Sequence, residues 1–102
     1  MEESVVETRR GAQYIMITEL QKYKRHLARR ADETTRLLCL YYVEQRHPVV
    51  IAQRDDVWVE GDMHWAVIVE GIDPEFWLEA FRMKKRAVQF CENLGLPYEV
   101  IS

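Results

Sequence analysis

The side chains best suited to chemistry in this sequence are those of three histidines and two cysteines. They are His26, His47 and His64, and Cys39 and Cys91. None of them belongs to an HExxH motif, a CxxC motif or a spaced Cys/His set, so the sequence predicts no metal site. Glu60 and Asp62 lie close to His64 along the chain, but Asp62 falls in a predicted turn, where aspartate is common for local hydrogen-bonding reasons.

Signals for catalysis are also weak. Cys39 and Cys91 both lie in apolar stretches, where a small, reduced and buried thiol is the ordinary state. The adjacent acids Asp55 and Asp56 would point to opposite faces of a strand. Neither GxGxxG nor GxxxxGK is present, so no phosphate-binding loop is expected. We therefore expect a protein without enzymatic activity or cofactor, with a small enzyme that carries no recognisable motif as the minor alternative.

Positive charge gives a stronger signal. A basic helix is predicted over 22–36, in which residues 22–30 alone contain five Lys or Arg residues and His26, and a second basic cluster occupies 82–86. The residues expected to contact nucleic-acid phosphates or an acidic partner are Lys22, Arg25, Arg29, Arg30, Arg82, Lys85 and Arg86. Tyr23 would stack on a base if it were exposed. The sequence pI of about 5.6 is far below that typical of a nucleic-acid-binding domain, so this function is the alternative rather than the first hypothesis.

Charge is divided unevenly along the chain. Residues 9–36 carry a net charge of +5 and residues 37–81 a net charge of −7, within a total of −3. Opposed patches of this kind can guide the choice of a charged partner. The simpler interpretation is that helices carry basic residues, and hairpins acidic ones, on solvated faces.

Length and composition predict one domain over residues 1–102, with residues 1–11 frayed or weakly helical. The chain has 102 residues, of which 48% are hydrophobic and 30% charged, an ordinary globular composition. The longest apolar run, residues 37–43, is far shorter than the roughly 20 residues of a membrane span. The first residues contain no apolar stretch of signal-peptide length. We therefore expect a soluble, cytoplasmic protein with no membrane partner.

The first half of the chain predicts one helix or a helix pair. Apolar side chains recur at intervals of three and four from Leu20 to Ala31, after a capping box that begins at Thr18. Asp32 either caps a second helix or lies inside one continuous helix. Residues 33–46 are predicted to be helical, although the apolar run 37–43 also suits a buried strand. Pro48 ends either element.

The second half predicts strands followed by a long helix. Strands are expected at 49–53, at 57–60 and at 63–70, the last two forming a hairpin around Gly61-Asp62. Asp73 is predicted to cap the last helix, with Pro74 in its first turn and Gly95 at its end. Residues 98–101 form a short final strand. The fold class is therefore α+β: an N-terminal helix or helix pair, a small antiparallel hairpin sheet, a long C-terminal helix and a final strand.

The hairpin supplies the main functional hypothesis. Its two-residue turn would place Trp58 opposite Trp65 and leave both faces apolar, so both faces need cover. The tryptophan pair is either core or an anchor for a partner, because Trp is enriched in binding hot spots. We predict a protein-interaction module, acting as an adaptor, regulator or inhibitor, that self-associates as a homodimer. The predicted interface residues are Trp58, Met63, Trp65 and Val67.

Overall fold

A computed structural model describes residues 18–54 and 64–101 of the chain. These residues form helices α1 (residues 18–30), α2 (Glu33–Glu44) and α3 (Lys84–Leu94), and strands β1 (Val49–Gln53), β2 (Trp65–Val69), β3 (Trp77–Phe81) and β4 (Tyr98–Ile101). The strands make one mixed sheet in the order β3-β2-β1-β4. The predicted α+β class, with its helix pair and final strand, is confirmed. No helix within the described ranges is both long and apolar enough to cross a membrane.

Asp32 separates α1 from α2. Its backbone is extended, and its Oδ1 accepts a 3.2 Å hydrogen bond from the backbone N–H of Thr35. Hydrogen bonds from Thr35 hold the pKa of this exposed carboxyl below its ordinary value. The open question at Asp32 is thus resolved in favour of two helices, and the ambiguous run 37–43 is helical. Thr18, predicted to cap α1, is already helical where the described residues begin.

The sheet is built around β1 and β2. They pair antiparallel from Val49 opposite Val69 to Gln53 opposite Trp65, and β4 pairs parallel to β1 on its other side. Strand β3 occupies the second edge of β2, with Phe81 opposite Trp65. Both neighbours of Trp65 are therefore residues other than Trp58, and the predicted hairpin register is wrong. The prediction paired residues 63–70 with the nearest apolar segment along the chain. In the structure β1, which is further away in sequence, pairs with all five residues of β2. The predicted strand 57–60 and its turn lie outside the described residues.

The predicted start of the last helix is also wrong. Asp73 and Pro74, joined by a cis peptide bond, lie in the connection between β2 and β3. Residues 77–81 form a strand because the free edge of β2 supplies hydrogen-bond partners that a local apolar spacing does not reveal. The helix begins only at Lys84. Its end is as predicted, since Gly95 adopts a left-handed conformation with φ 67°.

A β-bulge interrupts the pairing of β3 with β2. Val67 is opposite Glu79, while the next residue of β2, Ile68, is opposite Trp77, so Leu78 is the extra residue. A bulge of this kind breaks the alternation of side chains between the two faces of a strand. Leu78 belongs to the main core, and Glu79 contacts α1 on that same face of the sheet. The bulge therefore directs a carboxylate towards the helices.

The main core lies between the helices and one face of the sheet. Its buried members are Tyr23, Leu27, Cys39, Val43, Val49, Ile51, Val67, Val69, Leu78, Ala87, Cys91, Leu94 and Leu96. Both cysteines are free and buried, as the sequence predicted. A second, smaller cluster on the other face contains Ala52, Ala66 and Ile68, with Trp77 packed against them. Both faces of β2 are therefore buried, and the other strand of the predicted hairpin, whose two faces were both expected to need cover, lies outside the described residues.

Candidate functional site

The structure does not place the predicted hairpin anchor on an open surface. Val67 is fully buried, and Trp65 is half-buried against the main core. Trp58 and Met63 lie outside the described residues. The side chains of β2 pack into the two apolar clusters on opposite faces of the sheet, so this strand offers no open apolar surface among the described residues.

Helix α2 carries such a surface. Leu37, Leu38 and Tyr41 are 59%, 41% and 58% exposed, although Cys39 and Val43 on the opposite side of the same helix are in the core. Thr34 and Gln45 extend the exposed row by about one turn at each end. We call these five residues the α2 stripe: Thr34, Leu37, Leu38, Tyr41 and Gln45. They fall within an arc of about 100° at 3.6 residues per turn, and none of them carries a charge.

Two of the charged residues near the α2 stripe have a partner of opposite charge within the chain. The Nζ of Lys24 on α1 lies 3.9 Å from the Oε1 of Glu44 at the end of α2. At the other end, Arg36 interacts electrostatically with Asp32. The stripe is therefore an apolar centre with polar, electrically neutral ends. This arrangement resembles the apolar centre and polar rim of protein–protein interfaces.

The predicted basic residues are all exposed. Of Lys22, Arg25, Arg29, Arg30, Arg82, Lys85 and Arg86, only Lys22 forms an ion pair within the described ranges, 3.4 Å from the Oε1 of Glu19. Lys22 and Arg86, from the two different basic segments, line one cleft, whereas the other five residues do not line it. Tyr23, predicted to stack on bases if exposed, is only 5% exposed.

The cleft lies between α1 and α3 and is bordered by β3. It has a volume of about 320 Å³. Helix α1 contributes Glu19, Lys22, Tyr23 and His26; β3 contributes Glu79 and Phe81; α3 contributes Arg86, Gln89, Phe90, Asn93 and Leu94. On both helices these positions recur at intervals of three and four, so each helix lines the cleft with one side. Aromatic rings and polar groups therefore face the same space.

A short polar contact in the cleft joins His26 to Glu79. The Nε2 of His26 lies 2.6 Å from Glu79 Oε2, and the other carboxylate oxygen accepts a 3.1 Å hydrogen bond from the backbone N–H of Ala80. The Glu79 side chain is only 17% exposed. Both of its oxygens are therefore engaged, and the imidazole is oriented by the carboxylate. Sequence analysis missed this pair because it assigned Glu79 to a helix; the signal that could have found it is an acid within an apolar, aromatic segment.

The cleft is suited to binding. Arg86 supplies a cation without an ion pair in the described ranges, and Phe81 and Phe90 supply partly open aromatic surface. Cys39 lies near Tyr23 and Glu79 but is buried beneath them, and burial raises the pKa of its thiol. In the part of the chain that the structure describes, no three His, Cys, Asp or Glu side chains are grouped to hold a metal ion.

The surface of α2 and the cleft are thus the two candidate sites that the geometry defines. Comparisons of the chain with protein-family models, with curated proteins and with solved structures found no match.

Proposed function

We propose that the protein is a non-enzymatic interaction module that self-associates through the α2 stripe. The observation that carries this proposal is the exposure of Leu37, Leu38 and Tyr41 on a helix whose opposite side is already in the core. A helix that is apolar on both sides is normally covered on both sides. Contiguous exposed apolar side chains with a polar rim mark interaction surfaces.

A second copy of the chain is the occupant that fits this surface. In a two-fold dimer the stripe would run antiparallel to its own copy. Centred between residues 39 and 40, this pairing brings Leu38 onto Tyr41 of the other copy. It also brings Thr34 onto Gln45. Apolar positions thus meet apolar positions, and polar positions meet polar ones.

Charge also favours a second copy over a charged partner. The chain has a net charge of −3, but the stripe itself is uncharged and its neighbours Arg36 and Glu44 are compensated within the chain. Two stripes can therefore approach without like charges meeting inside the row of stripe residues itself. A strongly charged partner would find no counter-charge in the stripe, and unpaired buried charge opposes binding.

Sedimentation equilibrium from micromolar to submillimolar concentration tests the proposal. The wild-type protein should shift from its monomer mass of 12.2 kDa towards twice that mass. Leu38→Glu should keep the protein monomeric, because it places two like charges in the contact. Ile101→Glu is the matched control, since Ile101 is a similarly exposed apolar residue on β4. It should leave self-association unchanged.

Two results would overturn the proposal. One is a wild-type protein that remains monomeric at every concentration. The other is a dimer that Ile101→Glu disrupts and Leu38→Glu does not, because the contact would then lie at β4. Circular dichroism melting of each variant separates loss of association from loss of folding. A monomeric wild type with a Leu38→Glu variant of lower melting temperature would show that the chain itself covers the stripe.

A second candidate function, binding of a nucleic-acid backbone, has one specific observation in its favour. Arg25, Arg29 and Arg30 are exposed on α1 and form no ion pair among the described residues. Unpaired guanidinium groups on one helix can neutralise successive phosphates. Tyr23 is buried, so this binding would rely on charge rather than on base stacking.

A further inference from the structure

We infer that the cleft between α1 and α3 binds a small aromatic carboxylate. This site is separate from the α2 stripe and uses none of its residues. Three features support it: the shape and apolar surface of the cleft, a cation that has no ion-pair partner among the described residues, and the polar groups beside that cation.

The apolar part of the cleft is aromatic. The ring of Phe90 contacts Tyr23 edge-to-face at a centroid distance of 5.2 Å and contacts Phe81 in a tilted arrangement at 5.5 Å. Phe81 and Phe90 are only half-buried, so part of each ring faces the cleft. The volume of about 320 Å³ falls at the lower end of the range for ligand pockets. An aromatic ring in this space can add a further edge-to-face or offset contact to the existing set.

The charges of the cleft leave room for one negative group. Lys22 is paired with Glu19, and His26 contacts Glu79, whose second oxygen accepts the N–H of Ala80. Arg86 has no ion-pair partner among the described residues. The available positive charge is therefore a single guanidinium group. This matches a monoanion better than a phosphate dianion, which would also face the two glutamates.

Amide groups stand beside Arg86 on the same side of α3. The Nε2 of Gln89 donates a 2.8 Å hydrogen bond to Asn93 Oδ1. This bond fixes both amides, and no hydrogen bond among the described residues engages the Asn93 NH₂ group, so this group can donate to a ligand in the cleft. Guanidinium binds a planar carboxylate through two parallel hydrogen bonds, so the carboxylate is the anion that this arrangement fits. The ring of the ligand then extends towards Phe90 and Phe81.

Titration with phenylacetate, followed by ¹H–¹⁵N NMR, tests this inference. The resonances of the α1 and α3 residues that line the cleft should shift, with saturation at millimolar ligand. The uncharged analogue 2-phenylethanol should bind at least about tenfold more weakly, because it lacks the charge-assisted pair with Arg86. Acetate should be similarly weak, because it lacks the ring.

Arg86→Gln and Arg82→Gln form a matched pair of variants. Both positions are exposed, but only Arg86 lines the cleft. Arg86→Gln should weaken phenylacetate binding about tenfold, whereas Arg82→Gln should leave it within about twofold of wild type. The monomeric Leu38→Glu variant should bind phenylacetate as the wild type does, so failure of self-association and failure of this inference are distinguishable.

The inference would be overturned by any of three results. The first is an absence of saturable shifts in the residues that line the cleft. The second is equal binding of phenylacetate and 2-phenylethanol, which would remove the carboxylate from the recognition. The third is an equal loss of binding in Arg82→Gln and Arg86→Gln, which would reduce the effect to general surface charge.

Discussion

The hydroxyl of Tyr23 on α1 donates a 2.6 Å hydrogen bond to the backbone carbonyl of Leu78 on β3. Leu78 is the extra residue of the β-bulge, and the next residue, Glu79, contacts His26 one turn further along α1. The bulge therefore supplies both groups that hold α1 against the sheet, a carbonyl and a carboxylate. The same two contacts fix one wall of the cleft.

Tyr23→Phe should lower the free energy of unfolding by about 1–3 kcal/mol, because it leaves the Leu78 carbonyl without this donor in a buried setting. Burial raises the pKa of Tyr23 well above its ordinary value, so the hydroxyl remains a donor at any pH at which the protein is handled. Urea unfolding measures the change. Tyr98→Phe is the control and should have a smaller effect, since its hydroxyl donates to Glu92 at the exposed surface, where water can replace the bond. Equal stability of Tyr23→Phe and wild type would show that the hydrogen bond contributes nothing.

The buried thiol of Cys91 should make stability fall at high pH. Burial, followed by the charge of Glu92, raises its pKa from 9.0 to about 12. In the unfolded chain the thiol ionises near its ordinary value, whereas in the folded chain it keeps its proton. The stabilisation that the protonated Cys91 thiol gives the folded state is thus complete below about pH 9 and is lost as the pH rises towards 12. Between these pH values, the free energy of unfolding should fall by up to about 1.4 kcal/mol per pH unit for one such group.

Cys91→Ala is the comparison that isolates this effect. Its small cavity should cost a similar amount at every pH, while its stability should decline less steeply than that of wild type above pH 9. Chemical unfolding at several pH values between 8 and 11 measures both slopes. Parallel curves for the two proteins would show that Cys91 does not titrate differently in the folded and unfolded states.

Gly95→Ala should destabilise the protein by about 1–2 kcal/mol. Gly95 ends α3 with φ 67°, a conformation that a Cβ atom disfavours. Gly95→Asn should recover part of the loss, because asparagine tolerates the left-handed region better than alanine does. Thermal melts of the three proteins give the order. A Gly95→Ala protein as stable as wild type, or an asparagine variant less stable than alanine, would contradict this account of the helix end.

Capping residues and short apolar segments in the sequence were enough to predict several helix ends and strands. Asp32 caps α2, Gly95 ends α3, and β1 and β4 have the predicted bounds, because caps and short β-branched segments act over a few residues. The strand at 77–81 and the partners of Trp65 were not predictable in this way, since they depend on which strand fills which edge of β2. The contact of His26 with Glu79 joins residues 53 positions apart and also depends on the bulge at Leu78.

Arg25, Arg29 and Arg30 form the exposed basic side of α1. The double reversal Arg25→Glu and Arg29→Glu should leave the melting temperature within a few degrees of wild type, because both residues are exposed and unpaired among the described residues. If α1 binds a nucleic-acid backbone, the double reversal should weaken binding to duplex DNA most strongly at low salt, where the screening length exceeds about 10 Å. Arg46→Glu, at an exposed base outside both basic clusters, is the charge-matched control for each single reversal, Arg25→Glu or Arg29→Glu.

The dependence of binding affinity on salt concentration distinguishes a nucleic-acid partner of the basic side of α1 from an acidic protein partner. For wild type, log affinity for duplex DNA should fall with log salt at a slope near −0.9 for each phosphate neutralised. The double reversal should reduce that slope by about two such units if Arg25 and Arg29 each contact one phosphate. A shallow slope in the wild type would favour an acidic protein surface over nucleic acid, because a protein partner carries no condensed layer of counterions to release. Fluorescence anisotropy with a labelled duplex over a series of salt concentrations gives both slopes. If the double reversal binds the duplex as tightly as wild type at the lowest salt concentration, the basic side of α1 is a solvated surface and the second candidate function is excluded.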